Sequence, residues 1–414
     1  MKQLPTRTKG QVTEPRASPE RLAHVDALRG FALLGILVVN IGYMASTYHG
    51  TGLEDPRFAS PLDDAVRWVV AVFFEAKFFL LFSFLFGYSF TLQLASAERS
   101  GARFVPRFLR RLAGLFVLGA LHATLLFTGD ILTAYAVLGL VLLAARRIRP
   151  RTAVRTAVVL FVVTAAVYVL LAAGVHLTGG EAGVAPGVAA EAERVAAELR
   201  GGPGSVIRAN LGQLPEMAFL LAFFQAPAAL AAFFLGFAAG RVRALADLAR
   251  HRALLVRLQW AGFTVGLLGA VVYAHASLVC PGGAYQILAM GIDVVTAPLL
   301  AAAYAATVLR LTQGRLGRRT VAVLGPVGSM TLTGYLTQSL VCALLFTGYG
   351  AALVGRVSPQ VVLAVALALF AAQVVIGRWW LRRHRYGPVE WLLRAWTTLS
   401  RPPLRRAPLA TPEG

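Results

Sequence analysis

Ten apolar stretches, each near the length that crosses a bilayer, constrain this chain more than any other feature. They run at roughly 28–48, 66–93, 108–127, 130–146, 153–176, 214–239, 254–275, 285–309, 321–347 and 360–378. A spanning helix needs about 20 mostly apolar residues, because backbone N–H and C=O groups in hydrocarbon must be satisfied within the segment. Mean hydropathy of +0.66 over 414 residues agrees with that reading and excludes one large soluble domain. The expected fold is therefore an all-α polytopic membrane protein of about ten transmembrane helices.

Charge sets the expected orientation. The net charge is +21, which on its own would suit a nucleic-acid binder, but its distribution argues for the lipid bilayer as partner and against nucleic acid. Of the 40 lysines and arginines, 33 fall on one set of alternate loops and tails and six on the other. The positive-inside rule then places both termini in the cytoplasm. Residues 1–23 read as a disordered basic tail and not as a signal peptide, since no short apolar core with a cleavage site follows. Residues 24–378 form the membrane domain. The outer loop 178–213 carries VAAEAERVAAELR, with the pattern of a short amphipathic helix, and 379–399 reads as an interfacial amphipathic helix at the inner surface. Residues 400–414 are a second disordered tail. Two cysteines, Cys280 and Cys342, build neither a disulfide framework nor a metal site, and whether they pair is open.

Within the second apolar stretch stand an acid and a base, Glu75 and Lys77. Charged groups at bilayer depth are expensive and usually functional. On a continuous helix, residues two apart point in nearly opposite directions, so each needs its own partner. At about 1.5 Å per residue, Glu75, Asn40, Asp293 and Gln338 come out at similar depths below the outer surface. The Thr128-Gly129 turn makes the third and fourth segments antiparallel neighbours, which puts His122, Asp130 and Tyr135 at nearly the same height. With Tyr335, these residues form an expected polar layer in the outer half. Glu75 has His122 or Asn40 as candidate neighbours, and Lys77 has Asp130 or Asp293. Each also has a plainer role. Asp130 can cap the next helix, Asn40 and Gln338 can act as interhelical glue, and a lone His can simply satisfy a neighbour. At the inner end, Asp26 and Arg29 meet the cytoplasmic surface, where Gly30 and Gly35 allow close helix approach.

Five motifs carry a family resemblance: DALRGFALLGILVVN (26–40), KFFLLFSFLFG (77–87), His122 with Gly129-Asp130-Ile131-Leu132 and Tyr135, LTGYLTQS (332–339), and GPVEW (387–391). In this order they resemble the YeiB-like family of bacterial inner-membrane proteins, a domain of unknown function for which transport has been suggested. The resemblance covers about 22–396 and implies a multi-pass protein of the bacterial cytoplasmic membrane. More distantly, the first segment is similar to membrane acyltransferases that modify extracytoplasmic sugars from cytoplasmic acyl-CoA. One branch has a His eleven residues after its Arg-Gly arginine, where this chain has Asn40. Another, similar to heparan-glucosaminide acetyltransferase, has its active His in the loop after the first helix, near His49.

The functional expectation is acyl transfer across the membrane. Acyl-CoA would be the co-substrate, held near Asp26 and Arg29, with no bound cofactor and no metal. His122, oriented by Asp130 or Glu75, would be the base, and Lys77 or Tyr135 would stabilise the oxyanion. Asn40, Tyr135, Asp293, Tyr335, Gln338 and His49 would contact an extracytoplasmic glycan or lipid-linked sugar. This reading calls for a continuous passage from Arg29 to the His122 layer. The competing reading is a transporter or flippase with Glu75, Lys77, His122 and Asp293 as a relay. The sequence counts against it through the lack of internal repeats and of clearly broken helices.

Overall fold

The computed structural model describes residues 19–179 and 187–406, with side chains from 23 onward. Of the tails expected at 1–23 and 400–414, residues 1–18 and 407–414 lie outside the described residues, as do the loop residues 180–186; residues 19–23 instead belong to the first helix, and Arg405 bridges back to His384. The first eight helices are α1 (Pro19–Ala45), α2 (Pro61–Phe73), α3 (Lys77–Arg99), α4 (Phe104–Leu125), α5 (Leu132–Ala144), α6 (Pro150–Leu177), α7 (Val188–Arg200) and α8 (Pro203–Leu220). Then come α9 (Ala226–Arg241), α10 (Arg252–Ala261), α11 (Leu267–Leu278), α12 (Gly283–Gln313), α13 (Gly317–Ser329), α14 (Thr331–Phe346), α15 (Pro359–Arg383) and α16 (Pro388–Thr398). Single π turns at Leu221–Gln225 and Gly262–Gly266 join α8 to α9 and α10 to α11.

All ten apolar stretches are helical, and the chain is an all-α polytopic membrane protein. Among the described residues eight helical segments are long and apolar enough to cross a membrane, or nine if α13 and α14, bent by 76°, count as one span. The stretch at 130–146 yields α5 of only 13 residues, about 20 Å long against a core of about 30 Å. The α4–α5 turn takes up its first residues. The amphipathic helices expected at 188–200 and within 379–399 are α7 and α16.

Two seams hold the bundle at contact distance. A Cβ on Gly87 would lie 2.0 Å from Phe233 O, and one on Gly236 would lie 1.9 Å from Phe84 O. The paired residue numbers share a constant sum, so α3 and α9 cross antiparallel with backbones touching. The same holds for α1 and α13, where a Cβ added to Gly30 would lie 2.2 Å from Leu324 O and one added to Gly328 would lie 1.6 Å from Asp26 O. Helices have no hydrophobic drive toward each other in lipid, so such small-residue seams supply the van der Waals contact that replaces it. Around these seams runs a large apolar cluster dominated by aliphatic and phenylalanine side chains, and a second, smaller one gathers Ala71, Val72, Ala270, Ala274 and Leu300.

Two spans are interrupted, contrary to the expectation of unbroken helices. Ser60 and Asp63 form a reciprocal cap at the start of α2 with Pro61 in the first turn, a strong start signal. The helix stops at Phe73, and Ala76 takes the left-handed conformation, φ 63°, before α3 begins. The freed carbonyls of the last α2 turn find side-chain donors: Lys77 Nζ to Ala71 O at 3.3 Å and Tyr304 Oη to Phe73 O at 3.1 Å. The second interruption lies at Met330, between α13 and α14. There the first N–H groups of α14 meet a carboxylate from α16. Glu390 accepts from Leu332 N at 2.6 Å, Thr333 N at 3.0 Å and Thr333 Oγ1 at 2.5 Å. Anions at a helix N-terminus satisfy both its orphan donors and its dipole.

Candidate functional site

The break at 74–76 changes how Glu75 and Lys77 are placed. They stand on either side of a kink and no longer on one helix, yet each has its own partners. Glu75 lies 3.4 Å from His49 Nε2 through Oε1 and accepts from Tyr273 Oη at 2.9 Å through Oε2. Sequence reasoning offered His122 or Asn40 as its neighbours; the structure brings His49 and Tyr273 there instead. The loop after α1 folds back into the bundle and carries His49 down, which counting along straight helices could not foresee. The His49 ring packs edge-on to Tyr43, with centroids 4.3 Å apart, and rests against the backbone of Gly42.

Lys77 is fully buried. Its Nζ lies 3.6 Å from Asp293 Oδ1 and 5.5 Å above the Tyr273 ring. Of the two candidates for Lys77, the structure brings Asp293. Tyr273 thus links the two contacts, with its hydroxyl on Glu75 and its face under Lys77. As an uncharged residue in the apolar run VVYAHAS it carried no signal of that role.

His122 and Asp130 form a second cluster. Gly119 faces Thr133 and Gly139 faces Leu112 across α4 and α5. That antiparallel register sets His122 opposite Asp130, and Nδ1 lies 3.0 Å from Oδ1. The other carboxylate oxygen caps α5, accepting from Thr133 N at 2.8 Å and Thr133 Oγ1 at 2.9 Å. Asp130 therefore caps α5 through one carboxylate oxygen and sets the other 3.0 Å from the His122 ring. The Tyr335 ring lies 4.9 Å from that of His122. Tyr135 turns toward α3, paired with Ser83 Oγ at 2.6 Å and donating to Phe79 O at 3.1 Å.

Exposure separates the two clusters. The side chains of His122 and Asp130 are 0% and 1% exposed, whereas those of His49 and Glu75 are 23% and 16% exposed. Tyr43 beside them is 42% exposed. Asn40, Tyr335 and Gln338 line a cavity of about 10 Å³ with Leu37, Ile41, Met44, Ser339 and Cys342. That is room for one water, and neither Arg29 nor His122 is among its lining residues. Gln338 bonds Gln373 Oε1 at 2.8 Å, and Gln373 in turn bonds Gly334 O at 2.9 Å, which is interhelical glue. Cys280 and Cys342 are both free thiols.

Over the exposed cluster sits α7. Tyr48 Oη donates to Glu193 at 3.1 Å, and Arg57 bridges Glu193 and Asp55 at 3.0 and 2.7 Å. Desolvation first and the Glu193 carboxylate second hold the Tyr48 phenol above its ordinary range, so it stays a donor.

At the opposite end Arg29 donates to Asp26 at 2.9 Å and Ser89 Oγ at 2.6 Å. Arg111 lies within electrostatic range of both Arg29 and Glu390, and its Nε is buried without a hydrogen-bond acceptor. Sequence reasoning grouped Arg111 with ordinary loop charges. Its depth becomes visible only when α16 packs against α4, where Trp396 Nε1 donates to Arg110 O at 2.8 Å. Between the two ends a ladder of rings runs from beside Arg29 to beside Glu75. Phe31 meets Phe78 at 5.2 Å, and Phe78 stacks on Phe74 at 5.5 Å and on Tyr304 at 5.7 Å.

These features define a polytopic helical membrane protein that draws its charged side chains into two interior clusters, one sealed and one partly exposed. Three relatives share nearly its whole length. YxaH, an uncharacterized protein of Bacillus subtilis (strain 168), is 34% identical over 410 residues, covering 95% of this chain and 98% of its own. An uncharacterized 39.9 kDa protein from the amylase 3' region of Bacillus acidopullulyticus is 28% identical over 396 residues, 93% of this chain and 96% of its own. YeiB of Escherichia coli (strain K12), also uncharacterized, is 28% identical over 396 residues, 91% and 96%. Residues 239–400 match the family described as protein of unknown function (DUF418). The chain belongs to this YeiB-like family.

Proposed function

We propose that the protein transfers an acyl group, of which acetyl is the simplest, from acyl-CoA to an extracytoplasmic glycan or lipid-linked sugar, and that His49 is the base. One observation carries this choice. His49 and Glu75 form the acid–base pair that keeps partial exposure, while His122 and Asp130 are sealed. The step requires the His49 tautomer that carries its proton on Nε2, 3.4 Å from Glu75 Oε1, so that the Nδ1 lone pair accepts a proton from an acceptor hydroxyl or amine. The acceptor oxygen or nitrogen attacks the thioester carbonyl carbon, the carbon–sulfur bond breaks, and the CoA thiolate takes up the proton. Lys77 is engaged with Asp293 and Ala71 O, so its part is to fix the kink and the Tyr273 ring. Arg29 and Arg111 supply the guanidinium pair that the donor's phosphates require. About 21 Å along α1 separates Arg29 from Tyr43, a gap suited to a long extended arm between phosphates and thioester. The ladder of Phe31, Phe74 and Phe78 lies along that route and must part for the arm to pass. His122 and Asp130 brace the α4–α5 wall.

The transport reading gains support from the 76° bend between α13 and α14, since discontinuous helices line substrate sites in transporters. Here the helix end that would face a substrate is already occupied by Glu390, so acyl transfer is preferred.

The test is transfer of labelled acetyl from acetyl-CoA by native membranes and by protein in nanodiscs. His49→Ala should lower transfer by about 10²–10⁴-fold, and Glu75→Gln should lower it less. His122→Ala should alter thermal stability more than the rate per folded molecule. Full activity of His49→Ala, or no binding of acetyl-CoA, would sink the proposal. Uptake driven by a proton gradient without any acyl donor would establish transport in its place.

A further inference from the structure

Between 294 and 406 the chain carries thirteen arginines and a single acid, Glu390, and Glu390 is committed to the N-terminus of α14. All thirteen arginines are exposed, in loops and on the helices α12, α13, α15 and α16, as the positive-inside rule leads one to expect. Three are not scattered: Arg378, Arg382 and Arg406 line one cavity of about 410 Å³ with Pro326 and Leu381. The cavity lies between α13, the end of α15 and the segment after α16.

The arginines are held in place by the backbone around them. Arg378 Nε donates to Ala322 O at 2.7 Å, tying α15 to α13. Arg406 N donates to Arg383 O at 3.0 Å, and Arg385 N donates to Leu404 O at 2.8 Å. An antiparallel bridge between His384 and Arg405 completes this short pairing. The C-terminal segment is thus folded back to bring Arg406 to the cavity. Among the described residues no ion pair involves Arg378, Arg382 or Arg406. Three guanidiniums around one hollow, with no carboxylate among them, are a site for a phosphate oxygen cluster.

The surface next to the cavity selects the kind of phosphate. Val375, Arg378 or Trp379, and Arg382 follow one another at helical spacing, so they share a face of α15. Val375, Ile376 and Trp379 are 65%, 58% and 53% exposed, as side chains that meet hydrocarbon would be. An apolar strip leading into an arginine-lined hollow at a helix end matches acyl chains below a charged headgroup. We infer that this cavity binds an anionic glycerophospholipid, with its phosphodiester between Arg382 and Arg406 and its acyl chains along the Val375–Trp379 face of α15. The inference is independent of the acyl-transfer reading.

The full chain, purified in mild detergent, is titrated with dioleoyl phosphatidylglycerol or dioleoyl phosphatidylcholine and examined by native mass spectrometry. Phosphatidylglycerol should be retained over phosphatidylcholine. Each basic residue beside an anionic headgroup is worth a factor of about five. R382Q/R406Q, which keeps the Arg378 tie to Ala322, should therefore lower retention about 25-fold. R147Q/R151Q removes the same charge from the exposed α5–α6 loop and the first turn of α6 and should leave retention unchanged. Soluble glycerophosphate at millimolar concentration should not displace the lipid. Equal retention of the two lipids, equal loss in the R147Q/R151Q control, or displacement by glycerophosphate overturns the inference. The last outcome would mark a site for soluble phosphate compounds.

Discussion

Replacing Lys77 by Met tests the buried ion pair most directly. The ammonium is fully buried, 3.6 Å from Asp293 Oδ1 and 3.3 Å from Ala71 O. Without it, Asp293, whose side chain is 6% exposed, faces no cation, and Ala71 O at the end of α2 loses its donor. Breaking one partner of a buried pair costs about 3–5 kcal/mol, because the remaining charge is uncompensated. Asp293→Leu should cost a similar amount, leaving the ammonium with one carbonyl and the Tyr273 ring. The double variant K77M/D293L removes both charges, and what remains unpaired is Ala71 O, at about 1–3 kcal/mol. The double variant should therefore be more stable than either single one. Unfolding in mixed micelles can be followed by thiol labelling of Cys342, which is 1% exposed, in a Cys280→Ser background. Additive single effects, or single effects below about 1 kcal/mol, would refute this reasoning. They would mean that Lys77 and Asp293 are hydrated and mobile, as a transport relay requires.

Glu390→Ala should destabilise the α14 start by about 2–4 kcal/mol through the loss of charge-assisted bonds to Leu332 and Thr333, with Glu390→Gln intermediate, read in the same unfolding assay. Gly236→Ala would bring a methyl onto Phe84 O and should cost about 1–3 kcal/mol by parting α3 from α9. Gly174→Ala in α6, where nothing lies within 4 Å, should be neutral or slightly stabilising; equal melting shifts for the two would discount the seam. Arg57→Ala should change global stability by under about 1 kcal/mol but speed hydrogen exchange across Val188–Arg200, since it unpins α7 from the His49 loop. Unchanged exchange there would show that the Tyr48 bond to Glu193 suffices to hold it.

Much of this molecule was legible before any coordinate. Helix existence follows from apolar length, because hydrocarbon leaves the backbone no other partner, and all ten stretches are helices. The turn at Thr128-Gly129 was enough to bring His122 to Asp130, since a tight connection between antiparallel helices fixes their register. Similar depth narrowed the partners of Lys77 to Asp130 or Asp293, and packing chose Asp293. Apolar length, a tight turn and depth are local or one-dimensional facts, and one-dimensional counting reaches them.

Counting failed where the chain leaves the straight helix. It assigned Glu75 to His122 or Asn40, because it could not see the loop after α1 carrying His49 into the bundle. It treated Glu75 and Lys77 as opposite faces of one helix, whereas Ala76 breaks that helix and tertiary donors satisfy the exposed carbonyls. It read the SMTLTGYLTQS stretch as part of one span, whereas a carboxylate from α16, 57 or 58 residues away, caps a new helix there. The sequence by itself determined a helical membrane protein with charged residues that had to find partners inside. Which partners they found, and which pair stays partly exposed, was decided only by packing, because burial belongs to the assembled bundle and not to any one segment of it.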